Sequence, residues 1–143
     1  VLMAHIDAQI RRLKARFDAV PVRARDAAQV SLLKSGNELA DLMRNLAETS
    51  RDTGALIDSI EVTPGDQNTP PFSQPGGSTV VPSNAVMVTA GNEDVRYAHL
   101  VEHGHSKAAA HAFFWPAFRM LRQRIKNRTA RDIRKAVRTE GTN

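Results

Sequence analysis

The sequence predicts an α+β domain with long N-terminal helices, a small antiparallel sheet carrying a long flexible loop, and a long C-terminal helix. Three observations predict it. Ile6, Ile10, Leu13, Phe17 and Val20 alternate spacings of four and three, which draws one apolar stripe along a helix. Val86 and Val88 alternate with Met87 and Thr89 in the period of a strand. Phe114, Phe118, Leu121, Ile125, Ile133 and Val137 return to helical spacing, with Thr129 in the gap. The order helix, helix, strand, strand, helix suggests few strands with long helices on one face. The 143 residues fit a single domain, 1–143, and no internal repeat is visible.

Residues 2–20 form the first helix on the N-terminal stripe. Pro21 lacks an N–H and disfavours helical geometry in the residue before it, so the helix should end or kink there. The pattern resumes through Ala27, Val30, Leu33, Leu39, Met43 and Leu46. It predicts a second helix over 22–49, or the continuation of one kinked helix, with Gly36 and Asn37 as weak points. In "TSRDTGALIDSIEVTPGD", Asp52 or Thr53 can cap a short helical turn. Ile57, Ile60 and Val62 then lead into a strand closed by Pro64-Gly65. Residues 65–78, "GDQNTPPFSQPGGS", offer no periodic apolar face and read as a long mobile loop. Loops of this length are uncommon in compact domains and are often functional or disordered. "TVVPSNAVMVTAG" reads as one strand, or as two short ones divided at Pro82-Ser83-Asn84, and Gly91-Asn92 makes a turn. "VRYAHLVEHG" reads as a short helix stopped by Gly104. The last helix begins at Phe113, with Pro116 tolerable in its first turn. Residues 119–143 make a basic C-terminal helix and tail.

Composition narrows the classes. Without cysteine there is no disulfide, thiolate metal site or cysteine nucleophile, which fits folding in a reducing cytosol. No apolar run is long enough to cross a bilayer, and the amphipathic N-terminal stretch lacks the apolar segment of a signal peptide. The chain therefore reads as soluble, with no membrane partner. The net charge of +5 is unevenly spread. Residues 52–102 hold Asp52, Asp58, Glu61, Asp66, Glu93, Asp94 and Glu102 against Arg96 alone. The C-terminal helix holds Arg119, Arg122, Arg124, Lys126, Arg128, Arg131, Arg134, Lys135 and Arg138 against Asp132 and Glu140. An acidic middle precedes a basic tail.

Several stretches could carry chemistry. "HLVEH", from His99 to His103, spells the H-x-x-E-H of one class of zinc peptidase, with Glu102 as general base. A catalytic zinc also needs a third protein ligand. His105 and His111 lie in a loop, no acidic residue follows until Asp132, and Gly104 stops the helix at its second ligand. The histidines read instead as a half-exposed short helix and loop. No serine sits in a G-x-S-x-G setting, and "PGGS" lacks the Lys-Ser/Thr ending of a phosphate loop. We therefore expect no catalytic residues, metal or cofactor. On the basic helix, Arg122, Lys126, Arg131, Arg134, Lys135 and Arg138 are candidates for contact with DNA phosphates or with an acidic neighbouring subunit. No aromatic residue is interleaved among the cations after Phe118, so base stacking is not expected. The other reading is a solvated helix face.

Two stretches together resemble a known pattern. "DTGALIDSIEV" (52–62) is similar to a TG-x-L-x-x-S-I element, and "RYAHLVEHGHSKAAAHAFFWPAF" (96–118) to a Glu-x-Gly element followed by an aromatic pair, Pro-Ala and a long helix. Both belong to tailed-phage morphogenesis proteins of the HK-ninety-seven gp-ten-like family, related to tail-completion proteins of the minor tail protein Z type. The resemblance carries over to Thr53, Gly54, Leu56, Ser59, Ile60, Tyr97, Ala98, Glu102, Gly104, Phe113, Phe114, Pro116 and Ala117. The chain departs at His105, where Thr is usual, at Ala112, where Pro often stands, and at the bulky Trp115.

The resemblance implies a non-enzymatic virion component, assembled in the bacterial host cytoplasm and placed at the head–tail interface. It would act as a tail terminator, tail-completion protein or neck ring of a phage or phage-derived particle. It implies a homo-oligomeric ring, by analogy a hexamer, meeting a neck or head-closure protein and the major tail protein, with DNA passing through the channel. The rival readings are a stand-alone basic DNA-binding protein and, behind it, the zinc hydrolase. Gly54 and Gly104 can supply backbone geometry closed to other residues. Glu102 either caps backbone donors or pairs with an arginine. Phe113, Phe114 and Trp115 serve as core anchor or subunit contact.

Overall fold

A computed structural model describes residues 2–48, 54–104 and 110–138, with side chains considered for all of these except 2–5, 16, 17 and 99. Helix α1 spans Leu2–Ala47, with Pro21 inside it. Of the two arrangements the spacing left open, the chain adopts the single helix. A proline withdraws one donor, and Pro21 is exposed, so the carbonyl it frees can be hydrated. At 1.5 Å per residue the helix is roughly 70 Å long.

After α1 come the short helix α2 (Ala55–Asp58), strand β1 (Glu61–Thr63), strand β2 (Met87–Thr89), helix α3 (Ala98–His103) and helix α4 (Phe114–Arg138). The strands pair antiparallel, with Glu61 opposite Thr89, Val62 opposite Val88 and Thr63 opposite Met87. Val62, Val86 and Val88 face α1 at Gly36, where a Cβ would stand 3.0 Å from Val62 Cγ1 and 3.2 Å from Val86 Cγ1. The predicted weak point is therefore a place where helix and sheet approach closely. Thr63 and Thr89 point to the other face and are buried too.

The segment between the strands has no helix or strand of its own but is tied by hydrogen bonds. Asp66 N–H donates to the Val81 carbonyl (2.8 Å) and Val81 N–H to that of Gln67 (2.9 Å). Gln74 and Ala90 exchange backbone bonds of 2.8 and 3.0 Å. Buried Thr69 donates its hydroxyl to the Gly77 carbonyl and accepts the Thr79 N–H, both at 2.9 Å. These bonds come from the backbone and from polar side chains, which hydropathy does not register. Val80 forms only an isolated bridge, to Asn68, so of the two readings of 79–91 the divided one holds.

Helix α4 runs antiparallel to α1. Arg128 meets Ser35 and Glu38, and Asp132 lies by Ser31 and Lys34, so rising numbers on α4 match falling numbers on α1. The core gathers at the C-terminal half of α1, where Leu39, Ala40, Met43 and Ala47 pack with Leu56, Ile60, Val95, Ala98, Phe113, Phe114 and Ala117. The N-terminal stripe lies outside that core: Ile6, Ile10 and Leu13 are 41%, 57% and 54% exposed.

Candidate assembly site

Helix α3 is six residues long and ends because Gly104 (φ 77°) turns the chain, its N–H still donating to the Leu100 carbonyl at 2.8 Å. Exposed Tyr97 precedes the helix, and its carbonyl accepts from Leu100 and Val101. Glu102, in the last turn, is buried. Its Oε2 accepts the N–H groups of Phe113 (2.8 Å) and Phe114 (2.9 Å), and its Oε1 accepts that of Trp115 (3.0 Å). Those are donors that the start of α4 leaves without an intrahelical partner. The next residue, Pro116, has no N–H to satisfy. A carboxylate here also meets the positive end of the helix dipole. Glu102 is thus a capping group, and of its two sequence readings the arginine pair is not the one adopted. Gly104 and Pro116 each serve the same junction.

The first element closes on the second through Gly91. Gly54 has a left-handed backbone (φ 84°) and opens α2; Leu56 and Ile60 enter the core. Buried Ser59 donates its hydroxyl to the Leu56 carbonyl at 2.6 Å and accepts the Gly91 N–H at 2.9 Å. At Gly91 (φ 90°) a Cβ would lie 2.8 Å from the Val95 carbonyl oxygen and 3.4 Å from the Ala98 Cβ. Arg44 donates to the Ile60 carbonyl at 2.8 Å, fastening this unit to α1. Thr53, also expected here, lies outside the described residues, as do Asp52, His105 and Glu140.

The aromatic corner divides its roles. Phe113 and Phe114 are buried with Ala117, while Trp115 and Phe118 are each 39% exposed. Edge-to-face contacts link Phe114 to Trp115 (5.0 Å) and Trp115 to Phe118 (6.1 Å). Beside them opens a cleft of about 270 Å³, lined among others by Leu39, Met43, Val88, Trp115, Phe118 and Ile125. The corner is therefore both core anchor and accessible apolar surface.

Arg122, Lys126, Arg131, Arg134, Lys135 and Arg138 all lie exposed on α4. Arg128 does not. It is buried, donating to Glu38 at 2.6 Å and to Ser35 Oγ at 3.1 Å, while Arg124 approaches Glu38 at 3.2 Å. Sequence reasoning grouped Arg128 with the other cations. The available signal was its phase, three residues after Ile125 and on the same inward row. The carboxyl of Asp132 is held below the usual range, first by the Ser31 hydroxyl and then by the charges of Arg131 and Lys34. Ser31 Oγ nevertheless completes no hydrogen bond among the described residues, so its part is a polar approach short of a formed bond. Lys34, Arg124, Asn127, Arg128 and Arg131 line an open groove of about 690 Å³ between the two long helices.

Of the zinc spelling, Glu102 and His103 are described, while the side chain of His99 lies outside the described residues. Both Glu102 oxygens are taken by backbone N–H groups and His103 is exposed. Among the described residues no three His, Cys, Asp or Glu side chains cluster as metal ligands. No helix among them is long and apolar enough to cross a membrane.

A family model described as "Bacteriophage HK97-gp10, putative tail-component" matches residues 11–104. No curated protein and no solved structure matches the chain significantly. The match takes in most of α1, both strands and the Glu102–Gly104 stop, and covers well over half of the sequence. This chain belongs to the HK97-gp10-like family of bacteriophage tail components.

Proposed function

We propose that the protein is a non-enzymatic ring subunit at the head–tail interface, completing or terminating the tail, or forming a neck ring, and presenting the surface that joins it to the head. Six copies are taken by analogy with the family. The observation that carries this reading is the placement of unlike charges on different elements of one subunit. Exposed Arg122, Lys126, Arg131 and Arg134 lie along α4, and exposed Asp58, Glu61, Glu93 and Asp94 lie on the α2–β1 and β2–α3 side. Unlike patches on one subunit pair head to tail, and such contacts close into a ring when the rotation permits. Trp115 and Phe118 add an apolar patch of the kind that anchors an interface. The neighbours would be a head-closure or neck protein and the major tail protein.

Electron microscopy of the purified chain and of tails from a phage lacking it tests the reading. Closed rings, and heads and tails that fail to join without the protein, are expected. Particles of normal form in its absence would overturn it. A second reading, contact with DNA in the channel, is favoured by the groove that Lys34, Arg124, Asn127 and Arg131 line. It requires steeply salt-dependent duplex binding that weakens when Arg124 and Arg131 become Gln.

A further inference from the structure

We propose that the amino-terminal half of α1 is an assembly arm that pairs, antiparallel, with the same arm of a second copy. The proposal goes beyond ring formation by the body and stands or falls separately from it. The starting point is where the helices end. Asp132 lies by Ser31, so at equal rise per residue Arg138 is level with about residue 25 of α1. The preceding residues, roughly 35 Å of helix, project past the described end of α4. Ile6, Ile10 and Leu13 are about half exposed there, and Val22 is 56% exposed.

The spacing says what kind of cover fits. A helix packed against its own domain shows a broad apolar face, about three residues in seven. Here the apolar positions 6, 10, 13, 17 and 20 alternate four and three, the narrower seam of a coiled coil. On either side stand Asp7, Arg11, Arg12, Lys14 and Asp18, which suit solvent and not a core. The complement of such a seam is another helix with the same pattern. The arm belongs to a helix already anchored in the body, so pairing carries little ordering cost.

Charge selects the direction. Asp7 and Lys14 each follow a seam residue, Ile6 and Leu13, and so sit on the same flank two turns apart. In a parallel pair in register, no cation comes to Asp7. In an antiparallel pair with Ile10 against Leu13 of the second copy, Asp7 falls beside Lys14 of that copy, and the contact occurs twice. This register also keeps the second arm clear of the described part of α4. Residue 2 comes level with residue 21 of the second copy, short of the level near residue 25 where the described part of α4 ends. The two bodies then lie at opposite ends of the paired arms.

The absence of cysteine allows a direct test. Ile10→Cys and Leu13→Cys variants are oxidised mildly, separately and mixed, and run on non-reducing gels. The mixture is expected to give a disulfide-linked heterodimer, while each variant alone stays monomeric, because like positions lie too far apart along the seam. Rapid crosslinking of Ile10→Cys with itself would mean parallel arms and overturn the proposal, as would no crosslink in the mixture. Sedimentation equilibrium gives an independent readout without seam substitutions. Asp7→Lys and Lys14→Asp should each weaken dimerisation by about tenfold, and the double exchange should restore it to within about twofold. Wild-type protein that stays monomeric, or single variants that leave its association unchanged, would also overturn the proposal.

Discussion

The Glu102 carboxylate accepts the Phe113 amide at 2.8 Å across eleven residues of chain. This contact and the two beside it join the end of α3 to the start of α4. Losing the carboxylate strands buried donors and removes a charge from a helix N-terminus. Glu102→Ala is therefore expected to cost about 2–4 kcal/mol, a cap and buried-donor loss combined. Glu102→Gln keeps one acceptor oxygen and should cost about half as much. Urea unfolding followed by circular dichroism checks both, with the exposed Glu93→Gln as a control expected to change nothing measurable.

Arg128 and Glu38 form the polar link between the two long helices. Arg128 is nearly buried, so removing its partner leaves a charge with poor access to water. Glu38→Ala should destabilise by about 2–3 kcal/mol, below the range for fully buried pairs because Glu38 keeps some exposure. The paired change Glu38→Leu with Arg128→Met should recover most of that loss, since apolar replacements of similar size need no partner. A double variant as unstable as Glu38→Ala alone would show that the link does more than compensate charge.

Asp132 gives the chain one pH-dependent element. Its folded pKa lies below the ordinary carboxylate value, owing first to Ser31 and then to Arg131 and Lys34. A depressed carboxylate contributes stability above its unfolded pKa, and that contribution is lost as pH falls through the folded value. Asp132→Asn should melt earlier than wild type at pH 7, and the gap should close in acid, as the pH falls through the lowered folded value. Melting curves at pH 7 and in acid decide it, and an unchanged gap in acid would remove Asp132 as the cause.

Much of this architecture could be read from residue order, for reasons particular residues make plain. Gly104 and Pro116 mark a helix end and a helix start through their own backbone restrictions, so their meaning is local. The partners of Glu102 are not local. They are backbone amides beyond a connection without periodicity, and a letter code carries no sign of which amides lack acceptors. Arg128 escaped notice because a cation on an inward row looks like its exposed neighbours until Glu38 and Ser35 are brought opposite. The loop around Thr69 is held by hydroxyl and backbone bonds, to which apolar patterning is blind. The stripe at Ile6, Ile10 and Leu13 announced a helix with an apolar face, but periodicity does not say whether the chain itself covers that face.

Gly36 separates two explanations that sequence alone confuses. A glycine within a helix can be a tolerated defect or a site of close approach. As a defect, it would give way to Ala with a gain of about 1 kcal/mol in helix propensity. Here a Cβ meets Val62 and Val86 at 3.0 and 3.2 Å. Both are β-branched and have little rotamer freedom with which to step aside. Crowding should offset most of the propensity gain, so Gly36→Ala is expected to lie within about 1 kcal/mol of wild type. Gly36→Leu has no room and should lose about 2–3 kcal/mol. The adjacent Asn37 is exposed, and Asn37→Ala should instead stabilise by a few tenths of a kcal/mol. If Gly36→Ala gained the full propensity difference, the sheet would not rest on α1 at this point, and the helix–sheet contact would have to be carried by Leu32 and Leu39 on either side.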